Sequence, residues 1–238
     1  MDFFSQDGQD KFIANLFNNK SEGYFLDIGA YDGIDFSNTL YLEKKLAWKG
    51  ICIEPNPVVF EQLKVNRNCI CLNCCVGNAN GIFKFLSVSG YGIMLSGLMD
   101  MFDQKHLLRI DQGIKEHGGS KEILDVPVLP LKNIFETYII TTIDYCNIDV
   151  EGGEMSVLKS IDFSKVRIKV FTIENNYGSK HVRRFLKPLG YKLIATLGAD
   201  EVYELHSKRY DLMLKLKVKK LRNYISHVKQ SILKKIAS

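Results

Sequence analysis

Hydrophobic positions along this chain fall into short runs that end abruptly on acids. Tyr24, Phe25, Leu26 and Ile28 run into a glycine turn, Gly29-Ala30-Tyr31-Asp32-Gly33, and Ile51, Cys52 and Ile53 stop at Glu54. Residues 69–76 form a third apolar run, Ile143 to Ile148 stop at Asp149, and Val166 to Ile173 stop at Glu174-Asn175-Asn176. Runs of this length bounded by turn residues predict strands buried on both faces. Between them the apolar period lengthens. Phe12, Ile13, Leu16 and Phe17 share one face of a leading helix over 5–17. Residues 55–66 predict another, with Pro57 in its first turn, and further helices follow at 131–138 and 155–160. Strands alternating with helices predict an α/β sheet.

Two segments break the alternation. Gly81 to Ser87, with Ile82, Phe83 and Phe85 alternating, reads as an edge strand, and Ile123 to Leu129 resumes strand character. Between them, 88–122 is poorly periodic and rich in Gly, Ser, Met and charge. So long an irregular stretch inside a domain is expected to be a substrate loop or lid. At the end, Leu214, Val218, Leu221, Ile225, Val228, Ile232 and Ile236 recur at helical spacing in a segment without Pro or Gly. Residues 208–238 hold ten Lys/Arg and one Asp, a charge of +9; since the whole chain is +5, residues 1–207 carry −4. This basic amphipathic tail is expected to pack on its own domain, on a second copy, on a partner, or on an anionic membrane. Nucleic acid is not expected as a partner, because the body offers no basic patch.

A chain of 238 residues fits one α/β domain, 1–207, followed by the tail. No apolar run approaches the ~20 residues needed to span a bilayer. Met1-Asp2-Phe3-Phe4 lacks the basic start of a signal peptide, so the expected location is cytoplasmic, with the tail able to hold the protein at the inner face of a membrane. Cys69, Cys71, Cys74 and Cys75 crowd one expected strand, without the separated pairs that close a zinc tetrahedron, and read as buried thiols.

The chemistry concentrates from Tyr24 to Pro55. A strand, glycine turn, helix and strand ending in an acid hold an adenosine, the carboxylate accepting both ribose hydroxyls. A dinucleotide register would need glycines at Tyr31 and Ile34. The chain instead carries Asp27, Gly29 and Gly33, with Asp32 and Asp35 at the helix start. Two carboxylates there repel a pyrophosphate but suit a ligand bearing an ammonium and a sulfonium, so the spacing favours S-adenosylmethionine over NAD. A second site is expected at IDYCNIDVEGGE, 143–154, since ligands of open α/β sheets sit at the carboxyl ends of the strands. Asp149, Glu174 and Asn175 together would suit Mg²⁺. Asp149, Glu151 and His181 are candidate bases, and His106 and His117 lie in the loop that could close over them.

The segments SQDGQDKF, FLDIGAYDGIDFSNT, GICIEPNP, DVPVLPLKNI and IDVEGGEMSVLKSID, in this order over 5–207, resemble the FkbM-type class I methyltransferases. The resemblance implies a Rossmann-like, doubly wound, mostly parallel seven-stranded sheet with an antiparallel last strand. It implies methyl transfer from S-adenosylmethionine to oxygen, often a sugar hydroxyl of a polysaccharide or glycoconjugate. Asp27, Gly29, Ala30, Asp32 and Gly33 would hold the methionine half, with Asn38 also on the cofactor. Glu54 would take the ribose, Pro55 and the Cys75-Val76-Gly77 turn the adenine, and Asp149 and Glu151 the transfer site. Gly153 stands where the family often has alanine. An NAD-dependent oxidoreductase and a non-catalytic adenosine-binding module are the alternatives.

Overall fold

The computed structural model describes residues 3–102 and 104–206, so the 208–238 tail lies outside the described residues. Along the chain come α1 (Gln9–Leu16), β1 (Tyr24–Ile28), α2 (Leu40–Leu46), β2 (Lys49–Ile53), α3 (Pro57–Asn66) and β3 (Ile70–Leu72). A second group follows: β4 (Cys75–Val76), β5 (Gly81–Val88), β6 (Gly97–Leu98), α4 (Gln104–His117) and β7 (Lys121–Leu129). The chain then returns through α5 (Leu131–Thr137), β8 (Thr142–Ile148), α6 (Glu154–Lys159), β9 (Arg167–Glu174), α7 (His181–Leu186), β10 (Tyr191–Leu197) and β11 (Asp200–Leu205).

The main sheet has seven strands in the order β10-β11-β9-β8-β1-β2-β3. The strands β3, β2, β1, β8 and β9 run parallel, and β11, the last in sequence, is antiparallel to both its neighbours. This is the doubly wound sheet the resemblance implies. Order reverses between β1 and β8, where the chain winds first one way and then the other, and crevices for ligands open at such points. Each strand buries alternate residues on opposite faces. Leu26, Ile28, Ile51, Ile53 and Ile148 pack on one side against α5 and α6 residues such as Leu131 and Val157. Phe25, Cys52 and Tyr145 pack on the other, against Ile13 of α1 and Leu42 of α2.

Three expectations change. The apolar run 69–76 is two strands in two sheets, because Asn73 donates to the Glu54 and Pro55 carbonyls (2.8 and 3.1 Å) and turns the chain off the end of β2. Its four cysteines therefore part: Cys69 packs beside Cys52, while Cys75 enters a small sheet ordered β4-β7-β5-β6. In that sheet β5 is interior, bonded to β7 and β6, and not an edge. Finally, 88–122 is largely ordered structure, with 3-10 turns at Gly90–Leu95 and Met99–Met101 and the fourteen-residue α4. Helical periodicity is faint there because α4 buries only His106 and Ile110. It lies over a cleft instead of on a core.

Arg67 closes the helical layer beside β1 and β2. Its guanidinium, fully buried, meets Glu43 at 2.7 Å and donates to the Thr39 hydroxyl at 3.0 Å. Removing one partner of a buried ion pair leaves the other charge stranded, so Arg67→Met should destabilise the protein by about 3–5 kcal/mol in urea unfolding.

Candidate active site

The end of β1 and the end of β8 meet on a glycine. At Gly29 φ is +83°, and a Cβ there would stand 1.7 Å from the Asp149 carbonyl oxygen. Only glycine permits that approach. The N–H groups of Gly29 and Ala30 both donate to the Ile53 carbonyl (3.0 and 3.1 Å), so the turn is tied to the tip of β2 as well.

That tie brings Glu54 under the turn. Its Oε2 accepts from the Tyr31 N–H at 3.1 Å and its Oε1 from the Asn56 N–H at 2.9 Å. Both oxygens keep a lone pair for two further donors, as a ribose diol requires. Burial raises the Glu54 pKa to about 7, partly offset by those two amide donors. Beside it lies a narrow cavity of about 90 Å³, into which Pro55, Cys75, Val76, Phe85 and Leu98 project apolar surface. The lining has the character a flat, largely apolar base would need. Pro55, Cys75 and Val76 were expected at this place. Phe85 and Leu98, from the small sheet, were not.

A broader polar cleft of about 960 Å³ adjoins it, and the two share Gly29, Tyr31, Met94, Asp149 and Glu151. Asn38 lines this cleft at 7% exposure. Its Nδ2 donates to Asn147 (2.9 Å), whereas its buried Oδ1 has no hydrogen-bond partner. A bare carbonyl oxygen near the acids suits an ammonium group, and the site fits S-adenosylmethionine on that observation. Ala30 lines the cleft beside it. Asp27 reaches the cleft wall but spends both oxygens internally, on the Thr39 hydroxyl (2.5 Å) and the Asn147 amide (2.9 Å). Burial pushes its pKa up and the nearby Arg67 charge draws it back. Asp32 lines neither cavity: its Oδ1 caps the Ile34 and Asp35 N–H groups. Gly33 has φ +81° and faces Leu63 and Arg67, 2.7 Å from where a Cβ would lie, so its need for glycine is backbone conformation and packing.

Where the cavities join, Asp149, Glu151 and Glu174 offer oxygens within 4.8 Å of one another. Burial pushes all three carboxyl pKa values up, and each feels neighbouring carboxylates besides; Glu151 and Glu174 reach about 8. Glu151 holds a left-handed backbone, φ +51°. Its side chain is 11% exposed and its Oε2 lacks a hydrogen bond, with His106 Nδ1 at 3.6 Å and Arg109 Nη1 at 3.7 Å. Asn175 does not join this cluster. Its amide donates to the Ser179 carbonyl and accepts the Ser179 N–H, closing the turn before α7. The oxygen set that could hold a hard cation is therefore Asp149, Glu151 and Glu174. His181 sits exposed at the start of α7, on a side cavity that also touches Glu151, and the imidazole nearest Glu151 is that of His106.

A parallel sheet whose switch point carries a glycine turn, a ribose-ready acid and an apolar slot defines an enzyme that binds an adenosine-bearing cosubstrate. The chain belongs to the FkbM methyltransferase domain family, whose family model matches residues 27–193. It is an S-adenosylmethionine-dependent methyltransferase, which sets aside the oxidoreductase alternative. No curated protein matches it. Among solved structures, it is similar to a human methyltransferase 10 domain containing protein, at 12% identity and a TM-score of 0.40 over 82% of this chain and 78% of that one. It is also similar to M. capricolum TrmK in complex with S-adenosyl-homocysteine, at 13% identity and a TM-score of 0.40 over 93% and 84%. No described helix is long and apolar enough to cross a membrane.

Three predictions follow from the acids. Hydrogen bonds to a charged group contribute about 1.5–3 kcal/mol, so Glu54→Ala should weaken S-adenosylhomocysteine binding at least about tenfold in calorimetry. An ionised carboxylate would accept both ribose hydroxyls, so wild-type affinity should fall as pH drops below about 7, and Glu54→Gln should reduce that dependence. For stability the sign is opposite. Folded-state pKa values raised above the unfolded value of 4.5 favour the fold at low pH, and the benefit disappears as pH rises through about 8. The thermal midpoint of the ligand-free protein should therefore decline between pH 5 and 9, and less steeply in Glu151→Gln.

Proposed function

We propose that the enzyme moves the methyl group of S-adenosylmethionine to a sugar hydroxyl of a polysaccharide or glycoconjugate. The observation that carries this reading is the placement of Glu151, which lines both the adenosine cavity and the polar cleft at the point where one opens into the other. A sugar hydroxyl is a weak acid and must lose its proton as the new bond forms. A carboxyl whose pKa lies near 8 is a stronger base than an ordinary one. The cleft also presents exposed Phe36 and Tyr91 rings among Gln112, Asn176 and several carboxylates, apolar faces and hydrogen-bonding edges of the kind a pyranose uses.

In this mechanism Glu54 and the apolar slot hold the adenosine while Asn38 takes the ammonium. The acceptor oxygen attacks the methyl carbon in line, forming the C–O bond as the C–S bond breaks. The electron pair goes to sulfur, giving neutral thioether, and the hydroxyl proton goes to Glu151. Proximity and alignment supply most of the acceleration. Asp149 and Glu174 border the same point.

A second reading is favoured by the three oxygens within 4.8 Å. Asp149, Glu151 and Glu174 would hold Mg²⁺, which would make the acceptor hydroxyl more acidic. The tail would then serve to bring the enzyme to membrane-bound acceptors, and vesicle partitioning of full-length and 1–207 protein measures that.

Methyl-labelled S-adenosylmethionine incubated with a panel of neutral oligosaccharides and methyl glycosides, with mass spectrometry of the products, tests the reaction. Transfer to a sugar oxygen is expected, with Glu151→Gln slowed about a hundredfold, the range of one general base. Transfer confined to nitrogen or to non-sugar acceptors would overturn the reading. Turnover unchanged in EDTA would remove the metal.

A further inference from the structure

On α4, an otherwise exposed helix, one of the two buried side chains is an imidazole. His106 is 4% exposed and fixed on three sides. Its Nε2 lies 3.0 Å from the Leu95 carbonyl oxygen, its ring stacks on Phe102 at 4.3 Å and 25°, and its Nδ1 faces Glu151 Oε2 at 3.6 Å. A carbonyl only accepts, so Nε2 carries a hydrogen and Nδ1 is the nitrogen turned to the carboxyl. Burying a polar ring on a lid is costly unless its partners need it there.

We infer that His106 is the positioning residue for Glu151: α4 lowers a fixed imidazole onto the carboxyl and aims its other oxygen at the acceptor. This rests on the reading of Glu151 as the base. Three observations converge on it. Glu151 leaves β8 through a left-handed backbone, which points its side chain out of the sheet edge toward α4. Its Oε2 has no hydrogen bond and stands 3.6 Å from Nδ1, so closure by less than 1 Å completes one, Nδ1–H donating to the ionised carboxylate. Arg109, one turn along α4, approaches the same oxygen at 3.7 Å but is 52% exposed. Water screens its hold, and the fixed contact is the imidazole. Lid closure over an acceptor and alignment of the base thereby become one movement.

The variants separate the two ends of the ring. Asparagine places its amide where Nδ1 stands and can donate or accept; glutamine reaches only the Leu95 carbonyl. With full-length enzyme, labelled S-adenosylmethionine and the best methyl glycoside of the panel, His106→Gln and His106→Ala should lower kcat at least about tenfold. His106→Asn should stay within about threefold of wild type, and S-adenosylhomocysteine affinity should hold within about twofold throughout. Equal losses in all three variants, or full turnover in His106→Gln, would overturn the assignment in favour of plain packing. Where His106→Ala fails to fold, the Asn and Gln pair decides alone, with thermal midpoints confirming that both are folded. Full turnover in Glu151→Gln is a different failure: it removes the base itself and the inference with it.

Discussion

One run of hydrogen bonds beneath the carboxyl edge of the sheet carries the site. It starts at the Glu43–Arg67 pair, passes through the Thr39 hydroxyl to Asp27, and crosses from β1 to β8 by the Asn147 amide. There the Asn147 oxygen receives both Asn38 and Thr172, and Thr172 meets the Tyr145 hydroxyl. Every member but the half-buried Glu43 is buried, and a buried polar group without a partner is expensive, so the run is stable only when complete. Its geometry decides what faces the ligand. Asp27 is consumed within it, and Asn38 is left with one oxygen over.

Above that layer the site is held in electrostatic tension. Glu54, Asp149, Glu151 and Glu174 are all drawn out of water, and the one full-time cation beside them among the described residues, Arg109 at 3.7 Å from Glu151, is half exposed and only partly offsets the cost. Stability is given up here for a pocket that awaits positive charge, the usual relation between a functional site and its scaffold. A sulfonium cosubstrate with its ammonium relieves part of that tension on binding.

The acids at the strand ends were legible in the sequence because a charge terminating an apolar run is a local event, readable within ten residues. Gly29 was legible for the same reason, although its partner, the Asp149 carbonyl, lies 120 positions away. Asn147 gave a readable sign, a polar residue inside the apolar run 143–148, that only its partners explain. Arg67 gave none: it follows a helix like any surface arginine, and its burial depends on three side chains from α2 and the turn before it. The α4 helix was hidden by its own exposure, and the division of 69–76 by a side-chain bond from Asn73 that no periodicity records. Asp32, Gly33 and Asn175 had the right residue types in the right order, and local caps and packing took them instead.

The small sheet leaves a further mark on the protein. Val88, where β5 ends, lies directly across from Lys121, where β7 begins. Everything between them, α4 included, thus departs from and returns to nearly one point, like a drawer whose two runners are fixed to the same frame. Such a segment can change in length at α4 without altering the spacing of β1, β2 and β8, whose ends carry the glycine turn and the acids. Leu98 in the apolar slot and Met94 on both cavities belong to this same excursion, so the cover and the adenosine cavity share a wall, and only the part beyond them, α4 above all, is free to vary alone.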